Sequence, residues 1–170
     1  MTAADFTLPG VDGRDHTYSE YEGGPGVAVV FTCNHCPYAQ AWEGRLVGIG
    51  RDYAGRFPLV AISSNNAAAF PEDSFEEMGK RAMTLGYTFD YLYDESQVVA
   101  RACGAERTPE VFVFDAGRRL VYHGAIDDSR DEPAVTQHYL RDALDALLEG
   151  REPPVADTPP VGCSIKWRAR

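Results

Sequence analysis

Two cysteines, Cys33 and Cys36, are separated by two residues, Asn34 and His35. A pair with this spacing can cycle between a dithiol and a disulfide, because the second sulfur can reach the first and resolve a mixed disulfide. The spacing therefore indicates thiol-disulfide exchange.

The position of the pair along the chain indicates how its first thiol is activated. An apolar run at 27–31 predicts a buried strand directly before the pair, and a helical pattern follows it. Unpaired N–H groups and the helix dipole favour a thiolate in the first turn of a helix. Since Pro37 is tolerated only in that first turn, the helix should begin at or just before Cys33. We therefore expect an exposed Cys33 with a lowered pKa, assisted by His35, and a shielded Cys36.

Other interpretations of the pair remain open. A zinc site would require a second pair of ligands, and the sequence has no second CxxC or HxxxH. A copper relay is an alternative, since two thiols and a nearby imidazole are soft-metal ligands. The cysteines could also be buried without function. We favour redox exchange, with no metal and no cofactor.

The elements around the pair alternate between strands and helices. The pattern predicts strands at 4–8, near His16, 27–31, 59–63, 110–114 and 120–124. It predicts a helix after the pair, with an apolar stripe from Tyr38, that runs to about Arg56, and further helices at 74–86, at 94–104 and from near Pro133 to Gly150. This order predicts an α/β protein with the thioredoxin fold, a central mixed sheet flanked by helices, with one added helix. We expect a single domain over 1–170, with an N-terminal hairpin extension at 1–22 and an extended C-terminal arm at 151–170.

Two polar sites adjoin the predicted strands. Thr108-Pro109 precedes the strand at 110–114, and its proline is either an ordinary strand start or a cis proline facing the cysteines. Asn65 and Asn66 follow the strand at 59–63, where they form either a plain turn or part of a substrate groove.

The composition limits the partners. Sixteen Lys and Arg against 26 Asp and Glu give a net charge of −10, which disfavours nucleic acid and anionic membrane surfaces. No apolar run approaches the length of a bilayer span, and the first residues lack the pattern of a secretory signal. We therefore expect a cytoplasmic protein whose partners are protein or small-molecule disulfides and a reduced thiol donor.

Several segments together resemble one family. They are Phe6-Thr7-Leu8-Pro9, Phe31-Thr32-Cys33-Asn34-His35-Cys36-Pro37-Tyr38, Pro71-Glu72-Asp73-Ser74, Tyr91-Leu92-Tyr93-Asp94, Thr108-Pro109-Glu110-Val111-Phe112-Val113-Phe114-Asp115 and Gly162-Cys163-Ser164-Ile165-Lys166-Trp167. Over nearly the whole chain they resemble the redoxin branch labelled alkyl hydroperoxide reductase and thiol-specific antioxidant (AhpC/TSA), within the thioredoxin-like proteins. The resemblance implies that Cys33 is the nucleophile, Cys36 the resolving thiol and Pro109 a cis proline that shapes the substrate groove. We expect Thr32, Asn34, Pro37 and Thr108 to line that groove.

Two departures from the wider family affect the expected activity. Peroxiredoxins carry a threonine three residues before the nucleophile, where this chain has Val30. Many thioredoxins carry a carboxylate in the preceding strand, and 27–31 contains none, so proton transfer would use His35 or water. These departures favour a thiol-disulfide oxidoreductase. A peroxide-reducing antioxidant protein and a non-catalytic copper- or partner-binding module are the alternatives.

Two further cysteines lie outside the pair. Cys163 lies in the arm, which should fold back onto the domain because burial of Trp167 would be favourable. Cys163 is then either a small buried residue or a third redox thiol that exchanges with the Cys33-Cys36 pair. Cys103 is expected to be a core residue at the end of its helix.

Overall fold

A computed structural model describes residues 1–169 of the chain. Its strands are β1 (Thr7–Pro9), β2 (Asp15–Thr17), β3 (Gly26–Phe31), β4 (Leu59–Ser63), β5 (Asp90–Tyr93), β6 (Arg107–Thr108), β7 (Glu110–Asp115), β8 (Leu120–Gly124) and β9 (Cys163–Ser164). Its helices are α1 (Pro37–Asp52), α2 (Phe75–Leu85), α3 (Val98–Cys103) and α4 (Tyr139–Leu148). None of these helices, within the described part of the chain, is long and apolar enough to span a membrane.

A five-stranded mixed sheet forms the centre, in the order β5-β4-β3-β7-β8. The first three strands are parallel, whereas β7 runs antiparallel to β3 and pairs with β8 as a hairpin. All six residues of β3 are buried, since both faces of the sheet are covered. This arrangement is the predicted thioredoxin fold, and the predicted N-terminal hairpin is also present as β1 and β2.

Alternate residues of β3 point into two apolar layers. Val29 packs with the N-terminal hairpin and α3, whereas Val30 packs with α1 and α4. This alternation follows from the two-residue period of a strand. The strand β3 is therefore held between two packed layers, and the loop that follows it carries the cysteine pair.

The final helix begins later than predicted. A 3₁₀ turn covers Glu132–Ala134, and α4 begins only at Tyr139. The Asp128 carboxylate accepts hydrogen bonds from the backbone N–H groups of Thr136 (2.9 Å) and Gln137 (3.1 Å). Because these bonds hold the intervening residues in a loop, the helix does not start near Pro133.

The C-terminal arm lies along the sheet and then crosses to β6. Its residue Asp157 bridges to His123 of β8, and β9 pairs antiparallel with β6. Ile165 is 3% exposed, whereas Trp167 is 37% exposed with the Arg101 guanidinium 4.4 Å from its ring centre. The arm folds back as expected, but Ile165 rather than Trp167 is the buried anchor.

Candidate active site: three cysteines beside Thr108

The loop between β3 and α1 carries both cysteines of the pair. Helix α1 begins at Pro37 with Cys36 as its N-cap, so Cys33 precedes the first turn. The expectation that the helix begins at or before Cys33 is therefore wrong. Pro37 does lie in the first turn of α1, where proline is tolerated, and it is the first residue of that turn.

Burial of Cys33 changes its chemistry. The side chain is 2% exposed, and burial, followed by the nearby Asp73 carboxylate, raises the pKa of the Cys33 thiol to about 11. Hydrogen bonds from Thr108 and from backbone groups oppose this rise without cancelling it. The prediction of an exposed Cys33 with a lowered pKa is wrong for this state, because the thiol is desolvated and lies outside the helix's first turn.

A disulfide joins Cys36 to Cys163 of the arm, with their Cα atoms 6.3 Å apart. Cys33 and Cys103 are free thiols. Cys33 and Cys36 belong to one buried cluster, against which Cys163 packs. The arm thus brings a third sulfur to the pair, as the sharper of the two hypotheses for Cys163 required, with Cys36 as its partner. Cys103 lies apart from this cluster, at the end of α3.

Thr108 contacts both cysteines of the pair. Its hydroxyl lies 3.5 Å from Cys33 Sγ, and its carbonyl oxygen lies 3.6 Å from Cys36 Sγ. The Thr108–Pro109 peptide bond is cis, as the sequence analysis expected. The polar contacts with the sulfur atoms come from Thr108, which is buried beneath the arm.

A buried carboxylate that the sequence analysis did not assign organises the cysteine loop. Asp73 is fully buried and accepts hydrogen bonds from the backbone N–H groups of Asn34 (2.8 Å) and His35 (3.2 Å) and from Asn65 Nδ2 (2.9 Å). The His35 imidazole pairs with the same carboxylate through Nδ1 and stacks on Phe70. The strand at 27–31 contains no carboxylate, and the carboxylate near Cys33 comes instead from the segment before α2.

The remaining residues predicted for the groove differ in their exposure and contacts. Asn34 is 4% exposed, donates to the Glu72 carbonyl (2.9 Å) and accepts from the Tyr91 hydroxyl (2.9 Å). These bonds hold its side chain in the loop, and the residue also lines an open cavity together with His35, Gln40 and Glu72. Thr32 is also buried, and Pro37 is exposed at the start of α1.

One set of side chains at the site has metal-ligating types. Donor atoms of Cys33, His35 and Asp73 lie within 4.8 Å of one another. The Asp73 oxygens already accept the hydrogen bonds described above, so a metal ion would have to displace His35 from this carboxylate. No short spacing such as CxxC or HxxxH marks this set, because Asp73 is distant in sequence from Cys33 and His35.

Comparison with known proteins assigns the chain to a family. The AhpC/TSA family description matches residues 1–123. The chain belongs to the AhpC/TSA family. No curated protein sequence matches it. The AhpC/TSA family match agrees with the resemblance identified in the sequence and places the chain among thioredoxin-like redox proteins.

Two solved structures resemble the whole chain. A hypothetical protein from Sinorhizobium meliloti 1021 is 43% identical with a TM-score of 0.95, covering 100% of this chain and 94% of its own. An uncharacterized conserved protein from Geobacillus kaustophilus has the same identity and TM-score, covering 100% of this chain and 92% of its own. The similarity therefore includes the C-terminal arm, which lies outside the region of the AhpC/TSA family match.

A more distant structure supports the fold. The peroxidoxin BcpB from Mycobacterium tuberculosis is 22% identical with a TM-score of 0.66, covering 88% of this chain and 95% of its own. At this identity the similarity shows the thioredoxin-like fold of this AhpC/TSA family member.

Proposed function

We propose that this protein is a thiol-disulfide oxidoreductase in which Cys33, Cys36 and Cys163 exchange one disulfide. The observation that carries the proposal is the disulfide between Cys36 and Cys163, formed beside the free thiol of Cys33 in one cluster. Three cysteines packed in one cluster can pass a disulfide from one pair to another without an added oxidant or reductant.

The exchange begins from the form with three thiols. The Cys33 thiolate attacks a substrate disulfide, forms a mixed disulfide and expels one substrate thiolate. Cys36 then attacks the Cys33 sulfur, releases the second substrate thiol and forms the Cys33–Cys36 disulfide. Attack of Cys163 on Cys36 returns Cys33 to the thiol form and gives the disulfide of this structure. One substrate disulfide becomes two thiols, and a reduced thiol donor reverses the oxidation of the protein.

Asp73 and His35 are suited to hold the loop during these steps. Their pairing fixes the backbone on both sides of Asn34, next to Cys33. A carboxylate near Cys33 also keeps its thiol protonated until the site opens. We propose that these residues position the loop and influence the protonation state of Cys33.

Insulin reduction with a dithiol donor tests the proposal. We expect Cys33→Ser and Cys36→Ser to abolish turnover, while Cys103→Ser serves as the matched control and retains it. The Cys36→Ser variant should accumulate a mixed disulfide between Cys33 and its substrate, because the resolving thiol is missing. Full turnover in Cys33→Ser and in Cys36→Ser would refute the proposed function.

A further inference from the structure

The arm crosses the cysteine site as an extended strand. In the β6–β9 pairing, Cys163 lies opposite Thr108 and Ser164 opposite Arg107. The backbone N–H of Ile165 donates to the Glu106 carbonyl (2.9 Å). The surface beside β6 that the arm covers, formed by Glu106, Arg107 and Thr108 next to Cys36, is called the cleft below. The cleft binds this segment through main-chain hydrogen bonds, which an extended polypeptide of another sequence can also make.

The residue before the cysteine has no room for a side chain. A Cβ atom on Gly162 would lie 2.2 Å from the carbonyl oxygen of Thr108, 2.6 Å from its carbonyl carbon and 3.2 Å from the Pro109 nitrogen. All three atoms belong to the backbone, so rotation of a side chain cannot relieve the overlap. This position requires glycine as long as the strand keeps its register.

The residue two positions after the cysteine enters an apolar site. Ile165 is 3% exposed and belongs to the apolar cluster that includes Val99, Ala105 and Phe112. An aliphatic side chain here gains the free energy of burial, whereas a charged side chain would lose its hydration.

Beyond Ile165 the cleft contacts the main chain through two buried amides. The Lys166 N–H donates to Asn65 Oδ1 (2.9 Å), and Gln97 Nε2 donates to the Lys166 carbonyl (2.9 Å). Gln97 Oε1 also accepts from the Arg168 N–H (2.9 Å). Asn65 and Gln97 are 2% and 1% exposed, so they are fixed polar groups directed at an extended backbone.

We propose that this cleft binds cysteine-containing polypeptides with glycine directly before the cysteine and an aliphatic residue two positions after it. The arm is the occupant in the oxidised state. After Cys36–Cys163 is reduced, a substrate segment of this pattern takes its place, with its cysteine at the position of Cys163, against the cluster that holds both Cys33, the attacking thiol, and Cys36. This inference rests on the proposed function and adds the selectivity of the site.

Peptides based on residues 162–167 test the selectivity. Each peptide is acetylated and its cysteine is joined to 5-thio-2-nitrobenzoate by a disulfide. The reduced, full-length Cys163→Ser protein supplies two thiols, which become the Cys33–Cys36 disulfide while the peptide thiol and the coloured thiol are released. We expect the glycine peptide to react about tenfold faster, or more, than peptides with alanine or valine before the cysteine. Replacement of the isoleucine by serine should also slow the reaction.

The outcomes separate this inference from the proposed function. Equal rates for the glycine, alanine and valine peptides would overturn the inference while leaving the exchange chemistry intact. Failure of every peptide to react, together with failure to reduce insulin, would overturn the proposed function as well.

A substitution in the arm gives a second readout. In the otherwise unaltered chain, Gly162→Ala should lower the equilibrium constant for the Cys36–Cys163 disulfide about tenfold or more at a fixed glutathione ratio. The matched control is Val161→Ala, since Val161 is 47% exposed. An unchanged equilibrium in Gly162→Ala would contradict the inference, because the arm would then tolerate a side chain at this position.

Discussion

At the scale of single residues, the protonation of Cys33 depends on burial and on one carboxylate. Thiols react as thiolates, so a pKa of about 11 keeps Cys33 nearly unreactive at neutral pH while the arm is in place. The same burial protects the thiol from reagents. The reactivity of Cys33 should therefore report both its protonation and the position of the arm.

Replacement of the carboxylate tests its effect on Cys33. In the oxidised protein we expect the iodoacetamide reaction of Cys33 to increase with pH up to about pH 11, without a plateau near neutrality. Asp73→Asn removes the anion next to the thiol and should lower its pKa, so the rate at pH 9 should increase. Peptide mapping by mass spectrometry measures the rate, with the exposed-site variant Asp142→Asn as control. A rate plateau at pH 7 in the unaltered protein would contradict this explanation.

The side chain of Val30 bears on whether the protein reduces peroxides. Val30 lies three residues before Cys33 and offers no hydroxyl to a bound peroxide. We expect hydrogen peroxide to oxidise the reduced protein no faster than an ordinary thiol, while insulin is reduced readily in the presence of a thiol donor. Stopped-flow measurement of peroxide consumption checks the first rate. Fast peroxide consumption with slow insulin reduction would instead favour the peroxidase alternative.

At the scale of elements, the arm depends on Ile165 for its apolar contact. Ile165→Ala should reduce the free energy of unfolding of the oxidised protein by about 2–5 kcal/mol, because the disulfide prevents the arm from leaving and the cavity remains. Trp167→Ala should cost less, since that ring is partly exposed and its cation–π partner, Arg101, is exposed as well. Urea unfolding monitored by circular dichroism measures both. A larger loss for Trp167→Ala would show that the anchor has been misassigned.

Strands and helices with a clear apolar period could be predicted from the sequence. Elements whose position depends on residues distant in the sequence could not. The apolar run at 27–31 predicted β3 correctly, because a continuous run of apolar side chains is typical of a strand that is buried on both faces. The two-residue strands β6 and β9 have no such signal, since each exists only through the other. The start of α4 depends on bonds to Asp128, which a local pattern does not contain.

In the candidate site too, features with a local sequence signal could be predicted, whereas those that depend on distant segments could not. The cysteine pair and the cis proline could be inferred from short motifs, and the position of Cys163 was one of two hypotheses. Asp73 and Gln97 could not be assigned, because their roles arise when distant segments meet at the cysteine loop and at the arm. The pKa of Cys33 was also missed, since it depends on burial that only the folded chain creates.

At the scale of the whole molecule, two histidines make stability depend on pH. Burial alone would lower the pKa of His16, but hydrogen bonds with Glu20 and Asp12 outweigh it and raise the pKa above its usual 6.5. His123 behaves in the same way through Glu110 and Asp157. A raised histidine pKa gives stability that is complete below pH 6.5 and is lost as the pH rises through the folded-state pKa.

An exposed carboxylate, Asp128, makes stability fall at acidic pH. Hydrogen bonds from the Thr136 hydroxyl and from backbone N–H groups lower the pKa of Asp128 from 3.8 to about 2. The stability from this group is present above pH 3.8 and is lost as the pH falls through about 2. The stabilisation from Asp128 is complete above pH 3.8 and that from the two histidines below pH 6.5, so all three groups contribute fully between about pH 4 and 6.5.

Thermal unfolding at several pH values measures this dependence. We expect the oxidised protein to unfold at a higher temperature at pH 5.5 than at pH 8. His16→Gln should reduce that difference, because it removes one of the two groups responsible. The control is His138→Gln, since His138 is exposed at the start of α4. An equal reduction in both variants would show that the dependence does not arise from His16.

The whole molecule also connects its redox state to the position of the arm, because the Cys36–Cys163 disulfide fixes the arm in the cleft. The most direct test follows the disulfide through one oxidation. Fully reduced protein is mixed with one equivalent of hydroxyethyl disulfide, quenched with acid at a series of times, alkylated and mapped by mass spectrometry. We predict that Cys33–Cys36 forms first and is replaced by Cys36–Cys163, with Cys33 recovered as a thiol. If Cys163 remains a thiol at equilibrium while Cys33–Cys36 persists, exchange among three cysteines is contradicted.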